Sequence, residues 1–205
     1  MIQKYVSVLV FCACLQVTAQ RAFINIGENS TAYNFEESSV GTDLVLRSRG
    51  GSFYEVGYEL GLKIPKLSYI GSLTFNQFNA AANDATTSYS WQTSYVGIQN
   101  MVSYELWKPV ETLHVAVKAG FNTATMVRGE QFTNNTYFNL QGQEEFSGIV
   151  LQPIVGVNAY YEVTDLMSIS LGYNFSRAYN LSNSSSEKLS FTTNQIQFGL
   201  YVPIN

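Results

Sequence analysis

The stretch Met167-Ser168-Ile169-Ser170-Leu171-Gly172-Tyr173-Asn174-Phe175-Ser176 alternates strictly between large apolar and small polar residues. Successive side chains of a β-strand point to opposite faces, so this is a strand with one greasy and one wet face. Such a strand suits either a half-buried sheet or the wall of a membrane-spanning β-barrel.

The same alternation recurs upstream and downstream. Tyr54, Val56, Tyr58, Leu60, Leu62 and Ile64 oppose Glu55, Gly57, Glu59, Gly61 and Lys63 over 53–64. Further strands are predicted over 67–78, 93–106, 113–123, 149–162 and 190–202. Gly50-Gly51, Pro65-Lys66, Lys108-Pro109 and Thr164-Asp165 read as short breaks. Segments 79–92, 124–147 and 178–189 lack alternation and are rich in Asn, Ser, Thr and Gln, so they read as long loops.

These make seven strands, whereas bacterial barrels of one chain have an even number, with short periplasmic turns and longer extracellular loops. Alternating loop lengths make the break at 49–52 extracellular and place a first strand over 40–48, with Leu44 and Leu46 outward and Val45 and Arg47 inward. Residues 22–36 are the alternative first strand; otherwise 20–39 is an N-terminal segment of unassigned structure.

Composition chooses between barrel and sandwich. Charged residues make up 13% of the chain, about half the usual share of soluble domains. The mean hydropathy is zero, and Tyr (14) and Phe (13) are plentiful. A solvated sheet face would carry Lys and Glu, whereas the polar face here is Gly, Ser, Asn and Gln, which suit a crowded lumen. The apolar face carries aromatics at two heights: Tyr54, Phe75, Phe121 and Phe175 near the outer ends, and Tyr69, Tyr104 and Tyr161 near the inner ends. That is the pattern of two interfacial belts. The expected fold is therefore all-β, an eight-stranded antiparallel up-and-down transmembrane β-barrel over 40–205.

Residues 1–19 read as an export signal: Lys4, an apolar run from Tyr5 to Leu15, and small residues at Val17-Thr18-Ala19, with cleavage near Ala19. Cys12 and Cys14 both fall inside it, so the mature chain offers no disulfide, thiol nucleophile or zinc cluster. Loss of Lys4 leaves ten Lys and Arg against fifteen Asp and Glu, a net charge of −5, which excludes a nucleic-acid partner by electrostatics.

Segments such as Val155-Gly156-Val157-Asn158-Ala159-Tyr160-Tyr161 and Leu171-Gly172-Tyr173-Asn174-Phe175 resemble strands of the small OmpA/OmpX-type outer-membrane barrels. The resemblance covers roughly 40–205 and is to the barrel alone, without a periplasmic domain. It implies residence in the bacterial outer membrane among lipid and lipopolysaccharide, and no cofactor. One departure is the ending Val202-Pro203-Ile204-Asn205, where such barrels end on an aromatic; Tyr201 is the displaced candidate.

The inward charges form the sharpest constellation: Arg47 and Glu55 near the outside, Glu59 and Lys118 in the middle, and Lys63, Glu105, His114 and Glu162 near the periplasmic end. Opposite charges share each level, so they are expected to pair as a salt-bridge plug, because an unpaired charge in a narrow lumen is costly. A narrow gated pore is the alternative. His114, the only histidine, faces inward at the inner end of its strand with no Ser or Asp near in sequence, so a lipid-modifying catalytic role is the weaker reading. Glu144-Glu145 and Glu36-Glu37 read as solvated pairs rather than metal ligands. Arg128 and Arg177 near the outer rim are candidate lipopolysaccharide contacts. The loop 124–147 carries Phe132, Tyr137, Phe138 and Phe146 among polar residues, as a binding surface would. The expected role is non-enzymatic: surface binding through this loop, or an accessory subunit of a larger outer-membrane complex.

Overall fold

The computed structural model describes residues 20–36, 47–83, 88–133, 136–141, 148–181 and 188–204. The expected leader, its cleavage site and Phe146 lie outside the described residues. Nine strands follow in order: β1 (Gln20–Glu36), β2 (Arg47–Gly61), β3 (Leu67–Asn83), β4 (Ser88–Val110), β5 (Leu113–Thr133), β6 (Thr136–Asn139), β7 (Ile149–Thr164), β8 (Met167–Asn180) and β9 (Lys188–Pro203). In the series β1, β2, β3, β4, β5, β7, β8, β9 each strand pairs antiparallel with the next, and β9 pairs β1, so eight strands close into a barrel and leave no free sheet edge in its wall among the described residues. The four-residue β6 turns back on the far end of β5.

The first barrel strand is Gln20–Glu36, not 40–48. Residues 40–46 lie outside the described residues, and 47–48 open β2 instead. The alternation in β1 is blurred because its inner face carries large aromatics, Phe23 and Tyr33, beside Asn25, Asn29 and Thr31. A pattern that expects small polar residues inside misses such a strand. The alternative over 22–36 matches it.

Gly50-Gly51 is likewise not a turn. It lies inside β2, at a register shift between Arg49 and Phe53. A Cβ on Gly51 would sit 2.0 Å from the Gln77 carbonyl oxygen of β3, so glycine is required by the close approach of two backbones at a bulge. The segments read as long loops are shorter than expected, since β3, β4, β5, β8 and β9 all run into them. Above the apolar belt the outward face turns polar while the inward face carries rings such as Phe78 and Phe191, so the alternation loses its apolar-out pattern without the strand ending.

The outer wall carries the apolar face. On β3, β5 and β8 the outward apolar residues span Leu67 to Phe75, Leu113 to Phe121 and Met167 to Phe175, nine residues each. A tilted strand needs about 9–11 residues to cross a bilayer. Glu28, Gln77, Arg177 and Asn194 continue the outward face of their strands above this belt. Short turns and both ends of the described barrel lie at the opposite end, where the Ile204 amide donates to the Gln20 carbonyl at 2.8 Å. Tyr201 turns inward and stacks on Phe23 at 5.0 Å, so it does not supply an outward terminal aromatic.

Candidate functional site

The lumen is built in three layers. At the long-loop end Tyr33, Phe78, Tyr95 and Phe191 meet on the barrel axis, with ring centroids 4.7 Å apart for Phe78 and Phe191 and 5.2 Å for Tyr33 and Phe191. The Tyr33 hydroxyl is anchored by the Phe78 carbonyl at 3.0 Å and by Thr93 Oγ1 at 2.9 Å. Leu140, just past β6, is fully buried against this layer. A Tyr33→Phe substitution keeps the ring and removes these bonds. It is expected to cost about 0.5–1.5 kcal/mol of unfolding free energy in lipid vesicles, because Thr93 still serves the Phe78 carbonyl at 2.7 Å.

Beneath it lies an amide layer. The Asn29 side chain donates to Asn76 Oδ1 (3.1 Å) and accepts from Gln195 (2.8 Å), Asn174 donates to Gln195 (2.6 Å), and Gln152 donates to Ser176 (2.7 Å). Glu55, 3% exposed, accepts from Asn25 Nδ2 at 2.6 Å, Ser72 Oγ at 2.6 Å and Gln99 Nε2 at 2.7 Å. Three donors on one carboxylate take the place of its water shell.

The third layer closes the short-turn end. Phe23, Tyr160 and Tyr201 pack with Ile70, Met101 and Ile154, and Tyr160 meets Tyr201 edge-on at 5.2 Å. Glu59 is held by Arg21 Nη2 at 2.9 Å and by Ser68 Oγ at 2.6 Å. The Arg21 guanidinium also lies over the rings of Tyr160 and Tyr201 at 5.3 and 5.4 Å. Outside this layer a cavity of about 290 Å³ opens toward the short turns.

The expected charge network is therefore only partly assembled. Glu55, Glu59, His114 and Lys118 do face the lumen and are buried. The cation that pairs with Glu59 is Arg21, on the strand that alternation missed. Glu55 is held by amide and hydroxyl donors instead of a cation, and Arg47 lies at the start of β2 with its side chain outside the described residues. Lys63 is exposed in the short turn after β2 rather than in the lumen, because β2 ends at Gly61. Lys118 is 5% exposed and lies in the field of Glu55 and Glu59, with no ion pair within 4 Å among the described residues. Glu105 and His114 line the cavity, and Glu162 Oε1 is 4.0 Å from His114 Nδ1. The salt-bridge plug is thus replaced by aromatic layers at both ends and an amide layer between them. His114 stacks on Tyr160 at 4.8 Å and has no hydroxyl in hydrogen-bond range among the described residues, so no Ser–His pair is assembled.

Beyond the belt, β5 and β6 form a hairpin. Phe132 and Tyr137 meet edge-on at 5.0 Å, and Phe132, Tyr137 and Phe138 are all exposed. Arg128 Nε donates to Glu130 Oε1 at 2.6 Å, while Arg177 lies over the Tyr179 ring at 5.3 Å.

These features define a class: the chain is an eight-stranded antiparallel up-and-down β-barrel with the apolar outer wall of a transmembrane barrel. No family model matches the chain, and no curated protein matches it. Among solved structures it is similar to neisserial surface protein A (TM-score 0.48, 13% identity, 87% of this chain and 96% of that one). It is also similar to the outer-membrane protease OmpT from Escherichia coli (TM-score 0.48, 9% identity, 93% and 98%) and to Ail, the attachment invasion locus protein of Yersinia pestis (TM-score 0.38, 12% identity, 88% and 98%). The class rests on this chain's own strand pairing and facing, since likeness at this level carries no argument about activity.

Proposed function

We propose that this protein resides in the bacterial outer membrane as a non-enzymatic interaction barrel whose contacts are made outside the lumen. The observation that carries this reading is the contrast between a lumen crossed by two aromatic layers and a hairpin that exposes three aromatic rings at its tip. Exposed aromatics positioned by a rigid wall are what a binding loop needs, since they offer contact area at little entropic cost. Arg177 is the better of the two candidates for lipopolysaccharide phosphates, because Arg128 is already tied to a carboxylate.

The test has two arms. Refolded protein in planar bilayers is expected to give no reproducible conductance steps; open channels would favour the pore reading. Partners captured by cross-linking on cells are expected to be lost with Tyr137→Ala and Phe138→Ala together. Unchanged recovery would remove the hairpin from the proposal.

A second reading, an accessory subunit packed on another barrel, is favoured by the outer wall at β3 and β4. Asn100 faces outward within the apolar belt and accepts from the Tyr69 hydroxyl at 2.5 Å. A polar group in hydrocarbon is expensive and commonly marks an interface.

The hairpin also carries a pH dependence. The Arg128 and Tyr137 side chains hydrogen-bond Glu130 and hold its carboxyl below the ordinary carboxylate value of 4.5. A depressed value in the folded hairpin means the contribution is present above 4.5 and lost as the pH falls through the folded value. Amide exchange at residues 130–139 is expected to speed up, beyond the intrinsic pH effect, as the pH is lowered below 4.5. Glu130→Gln is expected to remove that dependence.

A further inference from the structure

The cavity at the short-turn end has no part in the reading above. It holds about 290 Å³, at the lower edge of the size range for ligand pockets, so it suits a small ligand. Its walls present both signs of charge. Arg21 spends one N–H on Glu59, and its other four have no acceptor among the described residues. Lys66, exposed at the rim, adds a second cation. Glu105 also lines the cavity, with no Arg or Lys within 4 Å among the described residues.

Ser103 is 3% exposed and lines the cavity, and its hydroxyl has no hydrogen-bond partner among the described residues, so it is free to donate to and accept from a molecule held there. The stacked pair of His114 and Tyr160 adds a flat aromatic stretch to the lining.

We propose that this vestibule binds a small zwitterion of amino-acid type. Its carboxylate is taken by the free N–H groups of Arg21, its ammonium by Glu105, and one of its polar atoms by Ser103. Two opposite charges fixed on one cavity select a ligand carrying both, because a single charge leaves one wall unsatisfied and still pays desolvation. A free amino acid and the terminus of a short peptide share this chemistry.

Because His114 is the only histidine, its imidazole signal in the refolded barrel is a clean reporter at the cavity wall. L-alanine is expected to shift that signal saturably, while methylamine and acetate at the same concentration leave it in place. Alanyl-alanine distinguishes the sources: tighter binding assigns a peptide, weaker binding a free amino acid. Glu105→Gln is expected to weaken binding tenfold or more, and Ser103→Ala, a change that leaves the fold's charges untouched, several-fold. The proposal is overturned if neither L-alanine nor the dipeptide gives a saturable shift, if acetate or methylamine alone reproduces it, or if Ser103→Ala binds as the parent does.

Discussion

Replacing Arg21 with alanine is expected to lower the unfolding free energy of the barrel in lipid vesicles by about 3 kcal/mol, the low end for breaking a buried ion pair. Arg21 retains 24% of its side chain accessible, but Glu59 retains 7%. After the change, Glu59 keeps only the Ser68 hydroxyl. Its charge is then buried with one donor, and the two tyrosine rings lose the cation that covers them. Glu59→Gln should also destabilise, by leaving the guanidinium without its counter-charge. The double variant Arg21→Met, Glu59→Gln should recover part of the loss, because no unpaired charge remains. Urea midpoints with unchanged slopes measure all three. If Arg21→Ala moves the midpoint by less than the equivalent of about 0.5 kcal/mol, the pair does not hold the short-turn end.

Arg21 also shows where sequence reading stops. Alternation found seven of the eight barrel strands because lipid demands apolar residues on one face whatever the lumen contains. It located β1 poorly because Phe23 and Tyr33 place aromatics on the inner face, and the binary pattern cannot tell an inward ring from an outward one. With β1 misplaced, its arginine has no position in the lumen, and depth alone sets Glu59 beside Lys118 and Glu55 beside Arg47. The depth order of Glu55, Glu59 and His114 was legible, since residue spacing along an antiparallel strand is depth. Their partners were not. Whether a carboxylate meets an arginine or two amides and a hydroxyl depends on side chains across the barrel, and Gln99 and Asn25 lie 44 and 30 residues from Glu55.

The outer aromatic layer was invisible for a related reason. Phe78, Tyr95 and Phe191 fall at the outer ends of the predicted strands 67–78, 93–106 and 190–202, just short of the polar segments. So near a strand end, alternation does not say which face a ring takes. Only the continuation of β3, β4 and β9 above the belt turns them inward together and makes a lid over the amide layer. The exposed rings of Phe132 and Tyr137 lie in the segment 124–147, read as a loop, where composition does not separate an exposed ring from a buried one.

Leu171→Arg is expected to destabilise the barrel in a bilayer by about 2–4 kcal/mol, the cost of an arginine on the lipid face near the midplane. Leu171 is 61% exposed and stands midway along the outward face of β8, between Met167 and Phe175. The same exposure in a water-soluble barrel would make the substitution nearly neutral, within about 0.5 kcal/mol, because surface changes away from special features cost little. The outcome therefore separates two solvents for one structure. Arg177, two residues above Phe175 on the same face, gives the depth control: Arg177→Leu should change stability by no more than about 1 kcal/mol, because the interface tolerates charge. Unfolding in vesicles of defined thickness provides the measurement. If Leu171→Arg is as stable as the parent there, the outward apolar face is not a lipid face, and the alternation that begins at Met167 would have to be covered by protein.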